Sequence, residues 1–422
     1  MIETVKNAWK IPELRKKLTF VLFAIVIYRL GYAIYVPFVD TASLATQFAS
    51  LNSGNLLGYF NTLSGGGFAT ASIFAMSIYP YINSSIIIQL LQVAIPSLER
   101  LAKEGGEEGR KKIASITRYT TVAIALLQGF GYYSLIRSYG LIDGGTLPGI
   151  WVGTVIVLSF TAGSAFLMWL GEQITEFGIG NGISMILFAN IVSGLPRMVG
   201  TLFTMVWWQA LISVVGIAAL ILFIIFINDA ERRIPIQYAK RVVGRKIYGG
   251  QNTNLPIKVA MSGVLPVIFA QSICSLPATV YTFAGWKQGI VYNAIWSPNS
   301  WGYAILYFIM IFFFSWFYST IQYDTVEISN NLKSNGGFIP GFRPGKPTAE
   351  FIQKVINKII VFGAMYLGIV ALLPIVAGNL LPSVQSLAIG GTSVIIVVSV
   401  ALETVKALEA QMLMRHYKGF LD

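Results

Sequence analysis

Apolar residues run through this chain in long blocks. They follow neither the strict alternation of a half-buried strand nor the narrow stripe of a surface helix. A membrane-crossing helix needs a predominantly apolar run of about 20 residues. Windows of that kind fall at 18–39, 74–96, 116–137, 149–170, 180–196, 204–227, 259–283, 302–323, 358–377 and 383–402. They predict ten transmembrane helices and an all-α polytopic membrane protein. The fifth window is short and interrupted by Gly182 and Gly194. Ten spans divide into two five-helix halves, 18–200 and 201–403, flanked by an amphipathic segment at 1–17 and a tail at 404–422.

Glycine and proline break two of these spans at corresponding places. The second span of the first half holds Gly65, Gly66 and Gly67, then Pro80; that of the second half holds Gly263, Pro266 and Pro277. In transporter-like folds, interrupted segments at matching positions mark the working site. No residue-level repeat accompanies them. The preceding piece, "NLLGYFNTL", is too short to cross a bilayer and very apolar for an exposed loop. It reads either as a re-entrant segment shielded by protein or as an interfacial hairpin. The glycines then form a joint, with the next helix starting near Ala71.

Composition agrees: 55% of residues are hydrophobic and 11% charged, a balance foreign to soluble domains. The net charge of +12 is unevenly distributed. Basic residues crowd the N-terminal segment (Lys6 to Lys17) and the connections after the second, sixth and eighth spans. All of these lie on one side if there are ten spans, and the other side has only Arg137, Arg197 and Lys287. That asymmetry predicts cytoplasmic N- and C-termini. The first apolar run is too long for a cleavable signal and lacks a small-x-small site, so it is expected to remain as a helix. The segment "GEQITEFG", with Glu172 and Glu176, reads as a short loop without basic residues.

Two connections, 229–258 and 324–358, are unusually long at about 30 residues each, and loops of that length are generally functional or disordered. The first interleaves aromatic and basic residues, and "IQYAKRVV" alternates like a strand pair. Both are expected to be ordered docking surfaces for an acidic or ribonucleoprotein partner. Nothing implies a DNA partner.

Catalytic motifs are missing. His416 and Cys274 are single, so neither an imidazole metal site nor a disulfide framework can form within the chain. "GFRPGKPT" fails as a phosphate loop because only three residues separate Gly341 from Gly345 and Pro347 stands where Ser or Thr would hold magnesium. "GIGNG" at 178–182 reads as a tight turn before a helix. Interior charge is scarce. Arg29 is the clearest case, and it is expected to pair with carbonyls or a nearby acid. The chain is therefore not expected to be an enzyme, to need a cofactor or to power transport alone. From these features a secondary transporter of a small solute remains open.

Several stretches are longer than chance allows. "SGGGFATASIFAMSIYPYINSSIIIQLL", "GIGNGISMILF", "ERRIPIQYAKRVVGRKIYGGQNTNLPIKV", "GVLPVIFAQSI", "NNLKSNGGFIPGFRPGKPT" and "GGTSVIIVVSVALE" occur in order and resemble the SecY protein-translocation channel family over nearly the whole chain. The resemblance implies ten helices in two pseudo-symmetric halves around a pore that opens across the membrane and sideways to lipid. It implies a bacterial plasma-membrane location and makes the alternative transporter reading second choice. It makes the segment near 56–67 a re-entrant plug with its hinge, carried by Tyr59, Phe60, Leu63, Ser64, Gly65, Gly66 and Gly67. A pore ring follows at Ile82, Ile86, Leu187, Ile268 and Ile396, where Leu187 departs from the family's isoleucine. Lateral-gate candidates are Asn83, Ser84, Gln128, Gln271 and Ser272, with Gln128 expected to face the seventh span. Arg232, Arg233, Arg241, Arg245, Lys246 and Arg343 match partner-docking loops. The implied partners are the SecE and SecG small membrane subunits, the SecA motor ATPase, the ribosome, signal peptides, nascent chains and membrane lipids.

Overall fold

The computed structural model describes residues 2–50, 61, 64–145, 147–238, 241–243, 246–248, 252–261, 263–283, 289–297, 300–380 and 391–418. The first half is built from α1 (Ile2–Lys10), α2 (Pro12–Gly31), α3 (Thr41–Ser50), α4 (Tyr79–Ala94), α5 (Pro96–Lys103), α6 (Gly106–Ser138), α7 (Gly149–Phe177), α8 (Gly182–Ser193) and α9 (Leu195–Thr204). The second half has α10 (Trp207–Asp229), β1 (Glu231–Tyr238), β2 (Arg241–Val243), β3 (Lys246–Tyr248), β4 (Asn252–Lys258), α11 (Leu265–Phe283) and α12 (Ile290–Ile295). It continues with α13 (Trp301–Gln322), α14 (Thr325–Ser334), β5 (Gly337–Phe338), α15 (Lys346–Leu380) and α16 (Gly391–Lys418).

Each of the ten apolar windows overlaps a helix among the described residues. Among the described residues five helices are by themselves long and apolar enough to cross a membrane, and α4 with α5, bent by 106°, makes a sixth if the pair is one span. Local chemistry sets several starts. Pro12, Pro80 and Pro96 occupy first turns, where a missing N–H costs nothing. Asn181 caps α8 by accepting from the Ile183 and Ser184 amides, which makes the "GIGNG" turn a helix start. Asp324 caps α14 in the same way, accepting from Val326 and Glu327.

Several boundaries differ from the periodicity; the ninth span's helix, for one, starts at Lys346, inside the expected 324–358 connection. The first helix begins six residues early, at Pro12, and stops at Gly31; residues 34–36 instead meet 71–73, with Val36 N donating to Ala71 O at 3.0 Å and Ile73 N to Ile34 O at 3.0 Å. The second span's helix starts at Tyr79, not near Ala71. Residues 64–78 are a string of turns in which Ala71 and Ser77 take φ of 47° and 50°, values that side-chain-bearing residues seldom adopt and that a helix cannot use. Glu172 and Glu176 lie in the last turns of α7, not in a loop. Arg118 of α6 meets Glu172 at 2.9 Å, so the pair explains why an acid can end this helix without a solvent loop.

The connection after α10 folds as expected for strands but with other partners. "IQYAKRVV" spans β1 and β2, yet β1 lies between β4 and β5 while β2 pairs with β3. Ile234 and Ile236 face inward between exposed neighbours, the period-two pattern of a one-sided sheet. Ile234 and Ile257 pack on Ile339, Ile352, Ile356 and Ile360, so the two long connections form one body with its own core.

The tail is not separate. α16 continues to Lys418 and packs on α1, with Ala8, Leu14, Ile179 and Leu408 in a common cluster and Thr4 donating to Glu409 at 3.1 Å. The first and last described helices therefore lie against each other.

Candidate functional site

The largest apolar cluster joins both halves at the centre of the bundle. Ile82 and Ile86, one turn apart on α4, are 6% and 3% exposed, Leu187 on α8 is 3% and Ile396 on α16 is 4%; Ile268 on α11 packs against them. The structure thus gathers the five aliphatic candidates from four helices of two halves. From sequence alone each was an ordinary apolar residue. Phe74, Phe269, Phe314, Tyr303 and Tyr307 belong to the same cluster.

The glycine joint lies at one edge of the cluster. Gly65 and Gly66 take φ of 64° and 92°, which glycine alone adopts without cost. Around them the turn is well bonded: Gly66 N and Ser64 Oγ donate to Asn61 O at 2.8 and 3.1 Å, and Phe68 N donates to Ser64 Oγ at 3.0 Å. Phe68 is clamped between Phe48 and Tyr132, stacking on the latter at 4.1 Å, and its carbonyl accepts the Tyr132 hydroxyl. Residues from Ser64 onward are therefore anchored to α6, and the positive-φ pair marks where the chain changes direction. Tyr59, Phe60 and Leu63 lie outside the described residues.

Besides the packing of α1 on α16, the halves touch along two seams, α8 with α16 and α4 and α6 with α11. The second seam carries the lateral-gate candidates. None of the five bonds across it among the described residues. Ser84 Oγ donates to Thr117 O at 2.8 Å, within the first half, and Gln271 accepts from Tyr307 at 3.0 Å, within the second. Ser272 is buried with no partner for its hydroxyl, while Asn83 and Gln128 are half-buried and make no hydrogen bond among the described residues. Gln128 gains no partner on the seventh span's helix.

A profile of the SecY family matches residues 72–405. The protein translocase subunit SecY of Streptomyces coelicolor is 43% identical over the full length of both chains, and those of Corynebacterium glutamicum and Mycobacterium tuberculosis are 40% and 38% identical over the same extent. The chain belongs to the SecY family. Its fold agrees: a solved protein-conducting channel superposes with a TM-score of 0.66 at 17% identity, covering 94% of this chain and 92% of that one. A SecY structure whose plug domain is described as stabilising the closed state and maintaining a membrane seal gives 0.64 at 18% identity over the same shares. Family and helices together make this a multi-pass membrane protein.

The SecY-like docking candidates separate by position. Arg232 and Arg233 are exposed on β1, with Arg233 paired to Glu231 at 2.6 Å, and Arg343 is exposed beside the sheet. Arg241 and Lys246 are placed as backbone in β2 and β3, and Arg245 between them lies outside the described residues. Arg29 donates to Ala189 O at 3.3 Å and lies 5.2 Å from the Tyr32 ring, the carbonyl pairing expected of it.

Sequence reasoning missed one group in this SecY fold: the buried polar residues Tyr28, Ser77 and Asn190 and the half-buried Tyr32, which meet beside the glycine turn. The available signal was the polar side chains Ser77 and Asn190 inside otherwise apolar runs, since polar groups buried in a membrane domain need partners.

Proposed function

We propose that this chain is the channel subunit of a protein translocase, conducting unfolded polypeptides across the plasma membrane and releasing apolar segments sideways into lipid. The observation that carries this reading is the convergence of Ile82, Ile86, Leu187, Ile268 and Ile396 from both halves into one apolar cluster beside the seam where α4 and α6 meet α11. A narrow apolar collar blocks ions by dewetting yet yields to a passing chain. In the proposal these five form the pore ring, the segment ending at Gly65–Gly67 is the plug with its hinge, and the α4/α6–α11 seam is the lateral gate.

The basic sheet body, with Arg232, Arg233 and Arg343, is proposed to face the cytoplasm together with both termini. There it would receive the SecA motor or the ribosome. One solved neighbour, at a TM-score of 0.61, belongs to a canine ribosome–channel complex from the endoplasmic reticulum, which supports a ribosome partner. SecE and SecG are proposed as the small membrane subunits. The energy comes from these partners, and the chain itself is proposed to be non-enzymatic.

A photo-crosslinker at Ile82 or Ile396 tests the reading. With a stalled secretory precursor, adducts should form along the length of the precursor. No adducts, together with saturable uptake of a small solute into vesicles, would sink the channel and revive the solute transporter.

A further inference from the structure

Three separate pieces of chain meet around Asn190. The α2 helix supplies Tyr28, Arg29 and Tyr32; α8 supplies Ala189, Asn190 and Ser193; the turn segment supplies Gly65 and Ser77. Asn190 is 1% exposed, Tyr28 1% and Ser77 0%, so water cannot satisfy their polar atoms. They satisfy one another. Tyr28 donates to Asn190 Oδ1, and Tyr32 has two acceptors in reach, Asn190 Oδ1 at 3.2 Å and the Tyr28 hydroxyl. Asn190 Nδ2 in turn donates to Ser77 Oγ at 3.0 Å.

Gly65 sits directly on this group. A Cβ placed there would stand 3.1 Å from Asn190 Oδ1 and from Ser193 Oγ, and 3.5 Å from Arg29 Nη1. Gly67 is equally close-packed, because a Cβ on it would stand 2.8 Å from Ser72 Oγ and would collide with the Tyr32 ring. The glycine turn thus has a polar seat shaped to a backbone without side chains. Moving the segment off this seat opens the buried network to solvent and, where Ser77 moves with it, leaves Asn190 Nδ2 unpaired, and an unpaired buried polar group is costly.

We propose that Asn190 is the positioning residue of a polar clasp that holds the glycine turn in this seat and so sets how readily the resting channel opens. The proposal rests on the plug reading above for its consequence, although not for its geometry. It assigns the specificity of opening to a residue outside the pore ring. A substrate segment has to compete with the clasp before the turn moves, so a weaker clasp should admit weaker signal segments.

The test uses the full-length channel assembled with its small subunits in lipid vesicles, with Cys274→Ala and a single reporter thiol from Ser193→Cys, half-buried behind the turn. Without substrate, Asn190→Leu should speed maleimide labelling of the reporter about tenfold, as expected when the seated state loses its polar partners. Ser77→Gly removes the hydroxymethyl side chain, and with it the Asn190 partner, and suits the φ of 50° at that position, so it should shift labelling in the same direction by a smaller factor. In both variants, idle ion leak and export of a precursor with a weakened signal should rise, whereas a general folding lesion would lower export. Unchanged labelling in both variants overturns the clasp. Faster labelling with unchanged leak and unchanged export of the weak-signal precursor keeps the clasp and overturns the plug reading instead. If Asn190→Leu fails to assemble, Ser77→Gly decides on the same readouts.

Discussion

At the residue scale, the central aliphatic group and the Phe68 anchor make different demands on the chain. The collar must exclude water without binding anything. Replacing Leu187 with Asn places an amide at a site 3% exposed and wets it, so the idle ion conductance of reconstituted channels should rise about tenfold or more. Conductance equal to the parent's would remove Leu187 from the ring. Phe68, 5% exposed between Phe48 and Tyr132, is a packing residue. Phe68→Ala should destabilise the first half by about 3–5 kcal/mol, the usual cost of an aromatic cavity, and thermal unfolding in detergent would register it as a lower Tm. These two kinds of residue look alike in the sequence, because both are large apolar side chains in apolar runs. Only the neighbours they acquire separate them.

Among elements, the sheet body and the paired terminal helices are the parts with testable independence. β1 joins the two long connections through β4 and β5, and its inward face seats on the first turns of α15. Ile234→Asp should therefore loosen both connections together and expose sites in each to a soluble protease, while the membrane helices stay protected. Arg343→Glu leaves that core alone and reverses one exposed charge. It should weaken motor-driven export without reducing membrane insertion of the channel itself; unaltered export would free Arg343 from the docking role. The strands in this body were legible as alternation, but their partners were not. β1 and β2 are adjacent in sequence, and a two-residue gap invites a hairpin. The pairing went to distant β4 and β5 because only they complete a buried isoleucine face.

For the whole molecule, the question is how two halves separate without unfolding. Ser84 and Gln271 spend their hydrogen bonds inside their own halves, so neither ties α4 or α6 to α11 across the seam. Apolar surface can pass from protein to lipid or to a signal helix at little cost, so such a seam opens by exchange of neighbours. Crosslinkers at Asn83 and at Ser272 should accordingly both capture the apolar part of a signal segment, whereas one at Phe203, 85% exposed on α9, should capture lipid alone. Capture at Phe203 equal to that at the seam would mean that no preferred exit exists.

The ten apolar windows and the basic asymmetry followed from the sequence by itself, because hydrophobic length and charge bias are properties of a chain facing a bilayer. The same holds for the capped starts at Asn181 and Asp324, where a local side chain reaches its own backbone. Tertiary structure decided what no window of sequence contains. It ended the first helix at Gly31 and delayed the second to Tyr79, because residues 34–36 and 71–73 found each other. It gathered Tyr28, Ser77 and Asn190 from three distant stretches into one buried network. Such contacts are set by packing between remote segments, and their energy exists only once the halves are folded.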